Sequence, residues 1–164
     1  MIKGRAWTFG DHINTDLIIP GRYLDDYSLS SLAAHAMEDA DPDFPSKVRK
    51  GDLIVAGRNF GCGSSREQAP LALKHAGVAA VVAGSFARIF YRNAVNVGLP
   101  VVVCLEAAGS VQAGDELEID LERGRISLPD GRALRFEPLP GFLLSILREG
   151  GLVPYTKRRL GGRP

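Results

Sequence analysis

Residues 57–68, with the sequence GRNFGCGSSREQ, contain most of the side chains in this chain that could carry chemistry. Three glycines in the segment allow the backbone to approach a ligand and to adopt positive φ. Ser64 and Ser65 each precede a Glu or Gln by three residues, which predicts a capping box at a helix start. A helix start favours anions, and the Arg66 guanidinium matches a carboxylate or phosphate. The segment therefore predicts an anion-binding helix N-terminus with two hydroxyl groups.

The same segment departs from several well-known functional motifs. It contains no G-K-[ST] of a Walker A loop, no G-x-G-x-x-G of a dinucleotide fold and no G-x-S-x-G nucleophile elbow. From composition alone, the favoured interpretation is a capped helix after a glycine loop, with Arg66 at the surface.

Alternating apolar runs and helical patterns surround this segment. The apolar runs predict buried strands at residues 52–56, 78–83 and 99–104. Helical patterns separate them at residues 66–77 and 85–98. Gly77 is expected to end the first helix, and Ser85 is expected to cap the second, with Ile89 facing inward. This order predicts β-α-β units with parallel strands and right-handed crossovers.

The ends of the chain follow a different pattern. Apolar and polar residues alternate in the last third, which predicts an antiparallel meander of strands at 115–121, 125–128 and 133–136. We expect a single α/β domain over residues 1–164, a mixed-sheet core with β-α-β units and this C-terminal antiparallel β-meander. Residues 155–164 are basic and Gly-rich and are expected to form a flexible tail.

Composition excludes several classes of protein. Lys and Arg number 20 against 19 Asp and Glu, and 45% of the residues are hydrophobic. These values are typical of a soluble globular protein and favour neither a nucleic acid nor a membrane as partner. Cys62 and Cys104 are too few to hold an iron–sulfur cluster in the usual way, so no metal is expected in this chain. Two free thiols and the lack of a signal peptide indicate a cytoplasmic location.

Three segments together resemble a known family. GRNFGCGSSREQAP at 57–70 is similar to the signature of the swivelling β/β/α domain of aconitase-type hydro-lyases, in the form that occurs as a separate small subunit. GDHINTDLIIPGRY at 10–23 and GSFARIFYRNAVNVGLPVV at 84–102 resemble two further segments of that family. The resemblance covers most of residues 8–104, and its pattern is most like the isopropylmalate isomerase branch.

The resemblance implies roles for individual residues of the signature. Ser64 matches the family's catalytic base, and Arg66 matches the arginine that holds a substrate carboxylate. Ser65 and Gly63 are expected to contribute to substrate binding. Adjacent N–H groups and a positive helix end would stabilise the alkoxide that a serine base requires.

The N-terminal segment matches the family's specificity loop. Its residues are Arg22, Tyr23, Leu24, Asp25 and Asp26. Family members with an apolar residue after the Arg-Tyr-Leu equivalent favour a branched alkyl substrate, and those with Arg favour an additional carboxylate. Acidic residues here depart from both patterns and disfavour a tricarboxylate. Both side chains could instead point to solvent.

A D-H pair occurs in related positions of the family. Here the pair is Asp11 and His12, which are expected to support the site. The alternative is that His12 is a buried or turn residue.

The resemblance also implies a partner and a reaction. The family uses a [4Fe–4S] cluster, which a separate large subunit is expected to supply. The expected reaction is dehydration and rehydration of a small hydroxy-dicarboxylate, 2-isopropylmalate to 3-isopropylmalate, in leucine biosynthesis. The alternatives are a homoaconitase or another alkylmalate dehydratase. A different class, a stand-alone anion-binding or regulatory module, also fits residues 52–103.

Overall fold

The computed structural model describes residues 1–26 and 28–161, and these form one seven-stranded mixed sheet. The strands are β1 (Ile2–Thr8), β2 (Leu53–Ala56), β3 (Ala80–Ala83), β4 (Val101–Val103), β5 (Glu116–Asp120), β6 (Arg125–Ser127) and β7 (Ala133–Arg135). The helices are α1 (Thr15–Ile18), α2 (Leu29–Ala34), α3 (Phe44–Lys47), α4 (Gln68–Ala76), α5 (Arg88–Asn96), α6 (Leu105–Ser110), α7 (Gly141–Arg148) and α8 (Leu152–Gly161). A 3₁₀ turn covers Gly21–Tyr23.

The sheet has a parallel half and an antiparallel half. Its strand order is β4-β3-β2-β1-β5-β6-β7. Strands β1 to β4 are parallel to one another, with Trp7 opposite Ile54 and Ile54 opposite Val81. Strands β5 to β7 form an antiparallel meander joined to β1. The predicted α/β class, the β-α-β units and the C-terminal meander are therefore confirmed.

Two hydrophobic cores lie on opposite faces of the parallel strands. Side chains alternate along a strand, so Ile54 faces one core with α2, α4, α5 and α7. Leu53 and Val55 face the second core, with α6 and the meander. The sheet curls around this second core into a half-barrel, and Cys104 Sγ lies 3.8 Å from the carbonyl oxygen of Arg135 near the opposite edge.

Helix α4 ends where the sequence predicts. Gly77 adopts φ +109°, and its N–H donates to carbonyls of the last turn. Pro70 is the third residue of the helix, where the missing N–H has no intrahelical partner to lose. Lys74 then fastens α4 to its neighbours, because its Nζ donates to the carbonyls of Val97 (2.7 Å) and Gly150 (3.1 Å).

Some local expectations were wrong. Helix α5 begins at Arg88 rather than after Ser85, whose Oγ instead accepts the N–H of Asn59 at 2.8 Å. Ile89 is 53% exposed and does not face the core. Residues 155–161 of the expected flexible tail lie within α8, with Tyr155 against the first core. Residues 162–164 lie outside the described part of the chain.

Candidate functional site

Two loops are joined along their backbones beyond the carboxyl ends of β1 and β2. Four hydrogen bonds connect residues 10–15 with residues 57–62. They run from Gly57 N–H to Gly10 O (3.1 Å), His12 N–H to Arg58 O (2.8 Å), Gly61 N–H to Ile13 O (2.7 Å) and Thr15 N–H to Cys62 O (2.8 Å). Residues 10–15 therefore fix the loop at residues 57–62 at the sheet edge where open α/β folds bind ligands.

The Asp11–His12 pair belongs to this junction. Asp11 Oδ1 accepts the N–H of Arg58 at 2.7 Å. His12 and Asn59 both adopt left-handed backbone conformations, with φ of +57° and +61°, and His12 Nδ1 lies 3.2 Å from Asn59 Nδ2. These contacts give both residues a role in loop geometry. Neither Asp11 nor His12 lines the cavity beside Ser64.

A cavity of about 210 Å³ lies between the signature loop and the start of α5. It is lined by Thr15, Gly61, Gly63, Ser64, Ser65, Arg66, Ala87, Arg88, Ile89 and Phe90. Ser64 and Ser65 are exposed, whereas Thr15 beneath them is buried. The structure thus brings all four candidate residues of the signature, 63–66, to one opening.

Glycine is required at two positions of this lining. Gly61 adopts φ +82°, and a Cβ there would lie 2.3 Å from Cγ of Phe90. Gly63 adopts φ +98°, a conformation that side-chain-bearing residues rarely adopt. These two glycines bring the chain close to α5 and then turn it toward Ser64.

The expected capping boxes do not form. Helix α4 begins at Gln68, and no side chain hydrogen bond caps it at Glu67. Ser64 and Ser65 lie upstream, because the chain is held to the N-terminal loop at Cys62 and by the side chain of Arg66. The prediction that the hydroxyls sit at the N-terminus of α4 was therefore wrong.

The helix that begins at the cavity is α5 instead. Its N-cap residue, Ala87, provides no side-chain hydrogen bond, and its first turn contains no acidic residue. Within the described residues, the N–H groups of Arg88, Ile89 and Phe90 have no hydrogen-bond acceptor. The positive end of α5 thus lies at the cavity that Ser64 lines.

Arg66 is held by Asp16, an acidic residue that no sequence motif indicates. Its Nη1 donates to Asp16 Oδ1 at 2.6 Å and to the carbonyl of Ile19 at 3.2 Å. The Arg66 side chain is only 15% exposed, whereas Asp16 is 65% exposed. The guanidinium is planar, so fixing one of its nitrogens also fixes the directions of its remaining N–H groups.

Asp16 lies in the N-terminal segment 10–23, at Asn-Thr-Asp. Its side chain contacts a residue 50 positions away. Only the acidic type, within a segment already linked to the signature, could have drawn attention to it.

The specificity-loop residues lie outside the Ser64 cavity. Arg22 Nη2 pairs with Glu38 at 3.2 Å and Asp39 at 3.0 Å, and the hydrogen bond that Arg22 donates to Asp39 raises the pKa of Arg22. Tyr23 stacks on the ring of His35 with centroids 3.7 Å apart. These contacts hold the Arg22 and Tyr23 side chains against residues 35–39.

The acidic end of the loop faces solvent. Asp25 and Asp26 are both exposed. Asp26 Oδ1 accepts the N–H of Ser28 at 2.9 Å, and this bond lowers the pKa of Asp26. Leu24 is half-buried against the first core. The loop approaches the site through Gly21, where an added Cβ would lie 3.7 Å from Arg66 Nη2.

The described residues do not fit an iron–sulfur cluster. Cys62 is half-buried in the signature loop and Cys104 is buried behind the sheet. Across residues 1–26 and 28–161 there is no group of three His, Cys, Asp or Glu side chains that could hold a metal ion. No helix in the same ranges is long and apolar enough to cross a membrane.

Comparison with known proteins agrees with this architecture. Residues 11–106 match the family model described as the aconitase C-terminal domain, and the chain belongs to that family. It is 58% identical to the 3-isopropylmalate dehydratase small subunit 1 of Methanopyrus kandleri, over 96% of this chain and 94% of that protein. It is 61% identical to the methanogen homoaconitase small subunit of Methanothermobacter thermautotrophicus, over 94% and 90%.

A solved structure shows the same fold. The crystal structure of 3-isopropylmalate dehydratase from Methanocaldococcus jannaschii matches with a TM-score of 0.92 and 50% identity, covering 97% of this chain and 95% of that one. The expected family is therefore confirmed, and the chain stands among the small subunits of aconitase-family hydro-lyases.

Proposed function

We propose that this chain is the small subunit of a heteromeric hydro-lyase that converts 2-isopropylmalate to 3-isopropylmalate, with Ser64 as the catalytic base. The observation that carries the proposal is the cavity in which exposed Ser64, Arg66 and the start of α5 meet. In addition, this chain is similar over almost its whole length to isopropylmalate dehydratase small subunits.

Ser64 removes a proton from the substrate carbon next to a carboxylate. The electron pair of that C–H bond forms a C=C bond as the C–O bond on the adjacent carbon breaks. The departing hydroxide takes a proton from solvent and leaves as water. Addition of water in the opposite sense then gives the isomer. Ser64 must act as an alkoxide, and the uncapped start of α5 supplies positive potential that stabilises negative charge at the cavity.

Arg66 orients the substrate for this step. A guanidinium held by Asp16 and by the carbonyl of Ile19 presents its other N–H groups without reorganisation. Substrate carboxylates favour such a fixed, planar donor. Ser65 and the backbone at Gly63 lie beside Ser64 in the same lining and complete the polar surface.

A large subunit must complete the enzyme. The cavity opens to solvent in this chain, and the described residues include no group of three side chains that could hold a cluster. We propose that a partner covers this opening and holds a [4Fe–4S] cluster, which supplies a Lewis acid for the departing hydroxyl. The small subunit alone is then inactive.

The residues of the specificity loop indicate which substrate class the enzyme favours. Asp25 and Asp26 lie outside the cavity, but they belong to the loop that reaches Arg66 through Gly21. Their negative charge on this loop disfavours a third substrate carboxylate. An alkyl-substituted malate therefore suits the loop better than a tricarboxylate. Homoaconitase activity is the second candidate, which the 61% identity to a methanogen homoaconitase small subunit favours.

The test is reconstitution of the chain with its large subunit from the same source, under anaerobic conditions. We expect conversion of 2-isopropylmalate, with kcat/KM higher than for homoaconitate, citraconate or aconitate. Preference for homoaconitate would replace the first candidate with the second. A colourless assembly without activity on any of the four, or activity of this chain alone, would refute a two-subunit hydro-lyase.

A further inference from the structure

A second arginine lines the Ser64 cavity, and neither the signature motif nor the specificity loop includes it. Arg88 is the first residue of α5, directly after the N-cap Ala87. Its side chain is exposed, and it lies in the same lining as Ser64 and Arg66. Two guanidinium groups therefore border a cavity of about 210 Å³.

We propose that Arg88 binds the second carboxylate of the substrate while Arg66 binds the first. The proposal rests on the proposed function, because that substrate carries two carboxylates on adjacent carbons. It assigns Arg88 to the substrate itself rather than to packing within α5.

Charge balance in the cavity supports this assignment. Arg66 already donates through Nη1 to Asp16, which offsets part of its charge. Arg88 forms no ion pair with any carboxylate of residues 1–26 and 28–161. A dianion held by Arg66 alone would thus be incompletely compensated, and Arg88 is the second cation of the same lining.

The position of Arg88 on α5 distinguishes it from Arg92, an arginine at the surface of the same helix. Arg92 lies one helical turn later, is also exposed and does not line the cavity. The start of α5 also adds unpartnered N–H groups beside Arg88. Arg92 is therefore a matched control with the same residue type on the same helix.

The decisive experiment compares Arg88→Ala, Arg88→Lys and Arg92→Ala in the two-subunit complex, with the large subunit at saturating concentration. Hydrogen bonds between charged groups have net values that correspond to about 10- to 100-fold in affinity. We expect Arg88→Ala to raise KM by about that factor with a smaller change in kcat, since the contact is present in both ground and transition states. Arg88→Lys should recover part of the loss because it keeps the charge but not the bidentate geometry.

Binding of succinate, a dicarboxylate without a leaving hydroxyl, separates this inference from the proposed function. Calorimetry on the same complexes should show weaker succinate binding for Arg88→Ala and wild-type binding for Arg92→Ala. Equal succinate affinity and equal KM in wild type and Arg88→Ala, or equal effects of the two alanine variants, would overturn the inference. In a third outcome, the wild-type complex binds succinate but isomerises none of the substrates, and Arg88→Ala alone loses succinate binding. That result would support the role of Arg88 and refute the proposed function.

Discussion

Removal of the Asp16 carboxylate is expected to weaken catalysis through Arg66 with little effect on folding. Asp16 Oδ1 accepts from Arg66 Nη1 at 2.6 Å. A hydrogen bond between charged groups contributes about 1.5–3 kcal/mol. Asp16 is 65% exposed, so solvent screening reduces this contribution to about 1–2 kcal/mol. Since 1.4 kcal/mol corresponds to about tenfold, Asp16→Ala should lower kcat/KM by about 5- to 30-fold.

Two further variants identify the cause of that loss. Asp16→Asn keeps an oxygen acceptor for Arg66 without the charge, so kcat/KM should fall by only about 2- to 5-fold. Asp130→Ala is the matched control, because Asp130 also pairs with an arginine, Arg132, at 2.6 Å, but in the turn between β6 and β7. Its activity should equal that of the wild type.

The assay is steady-state isomerisation by the reconstituted complex, together with thermal unfolding of the small subunit. The same bond contributes about 1–2 kcal/mol to stability after screening, so Asp16→Ala should still fold and should lower Tm by about 2–8 °C. Activity of Asp16→Ala at or above the wild-type value would show that Asp16 competes with substrate for Arg66, and the orientation argument would fail.

Three other changes test the acid stability, the loop geometry and the substrate choice. The Asp52 side chain is buried, with 4% of the residue exposed, and this burial raises its pKa. Three donors outweigh the burial and lower the pKa below its ordinary value: the Trp7 side chain, the Arg49 backbone N–H and the Arg5 side chain. A depressed folded-state pKa gives stability that is present above about pH 4 and lost below it. Urea titrations of the wild type should show this loss of stability at low pH. Asp52→Asn should be about 1–3 kcal/mol less stable at pH 7 and should depend less on pH. Identical curves for the two proteins would refute the role of Asp52. Gly61→Ala places a Cβ 2.3 Å from Phe90 at φ +82°, so calorimetry should show Tm lowered by about 4 °C or more, and an unchanged Tm would contradict the close approach. Asp25→Arg should raise activity on tricarboxylates relative to 2-isopropylmalate, and an unaltered ratio would remove Asp25 from substrate selection.

The parallel half of the fold could be predicted because its strands are short apolar runs. Residues 53–56 and 80–83 are buried on both faces, which requires continuous hydrophobic sequence. Gly77 ends α4 as expected, since its left-handed conformation is a local property. Burial and backbone conformation at these positions depend mainly on residues close in sequence.

The position of the site hydroxyls depends on contacts between distant segments. The S-x-x-E and S-x-x-Q patterns match a capping box, but pairing of Cys62 with Thr15 keeps the serines upstream of α4. The Asp16–Arg66 ion pair joins residues 50 positions apart. Periodicity and local propensity contain no information about either contact.

The basic C-terminal segment illustrates a different limit. Its composition favoured a flexible tail, yet α8 extends to Gly161. Tyr155 packs against the first core, and Phe142 meets the Tyr155 ring at a centroid distance of 6.1 Å. The contact of Tyr155 with the first core therefore joins α8 to the domain, although the other residues of this helix are exposed.

Hydrogen exchange at the substrate carbon measures the proposed chemistry most directly. The reconstituted complex is incubated with 2-isopropylmalate in D₂O, and deuterium incorporation is followed by mass spectrometry for the wild type, Ser64→Ala and Ser65→Ala. Both serines are exposed in the same cavity, so neither variant should unfold the chain. We predict that Ser64→Ala lowers exchange and turnover together by at least about 100-fold, the usual scale for a positioned base, while Ser65→Ala retains much more activity. Exchange by Ser64→Ala at the wild-type rate would contradict the assignment of Ser64 as the base.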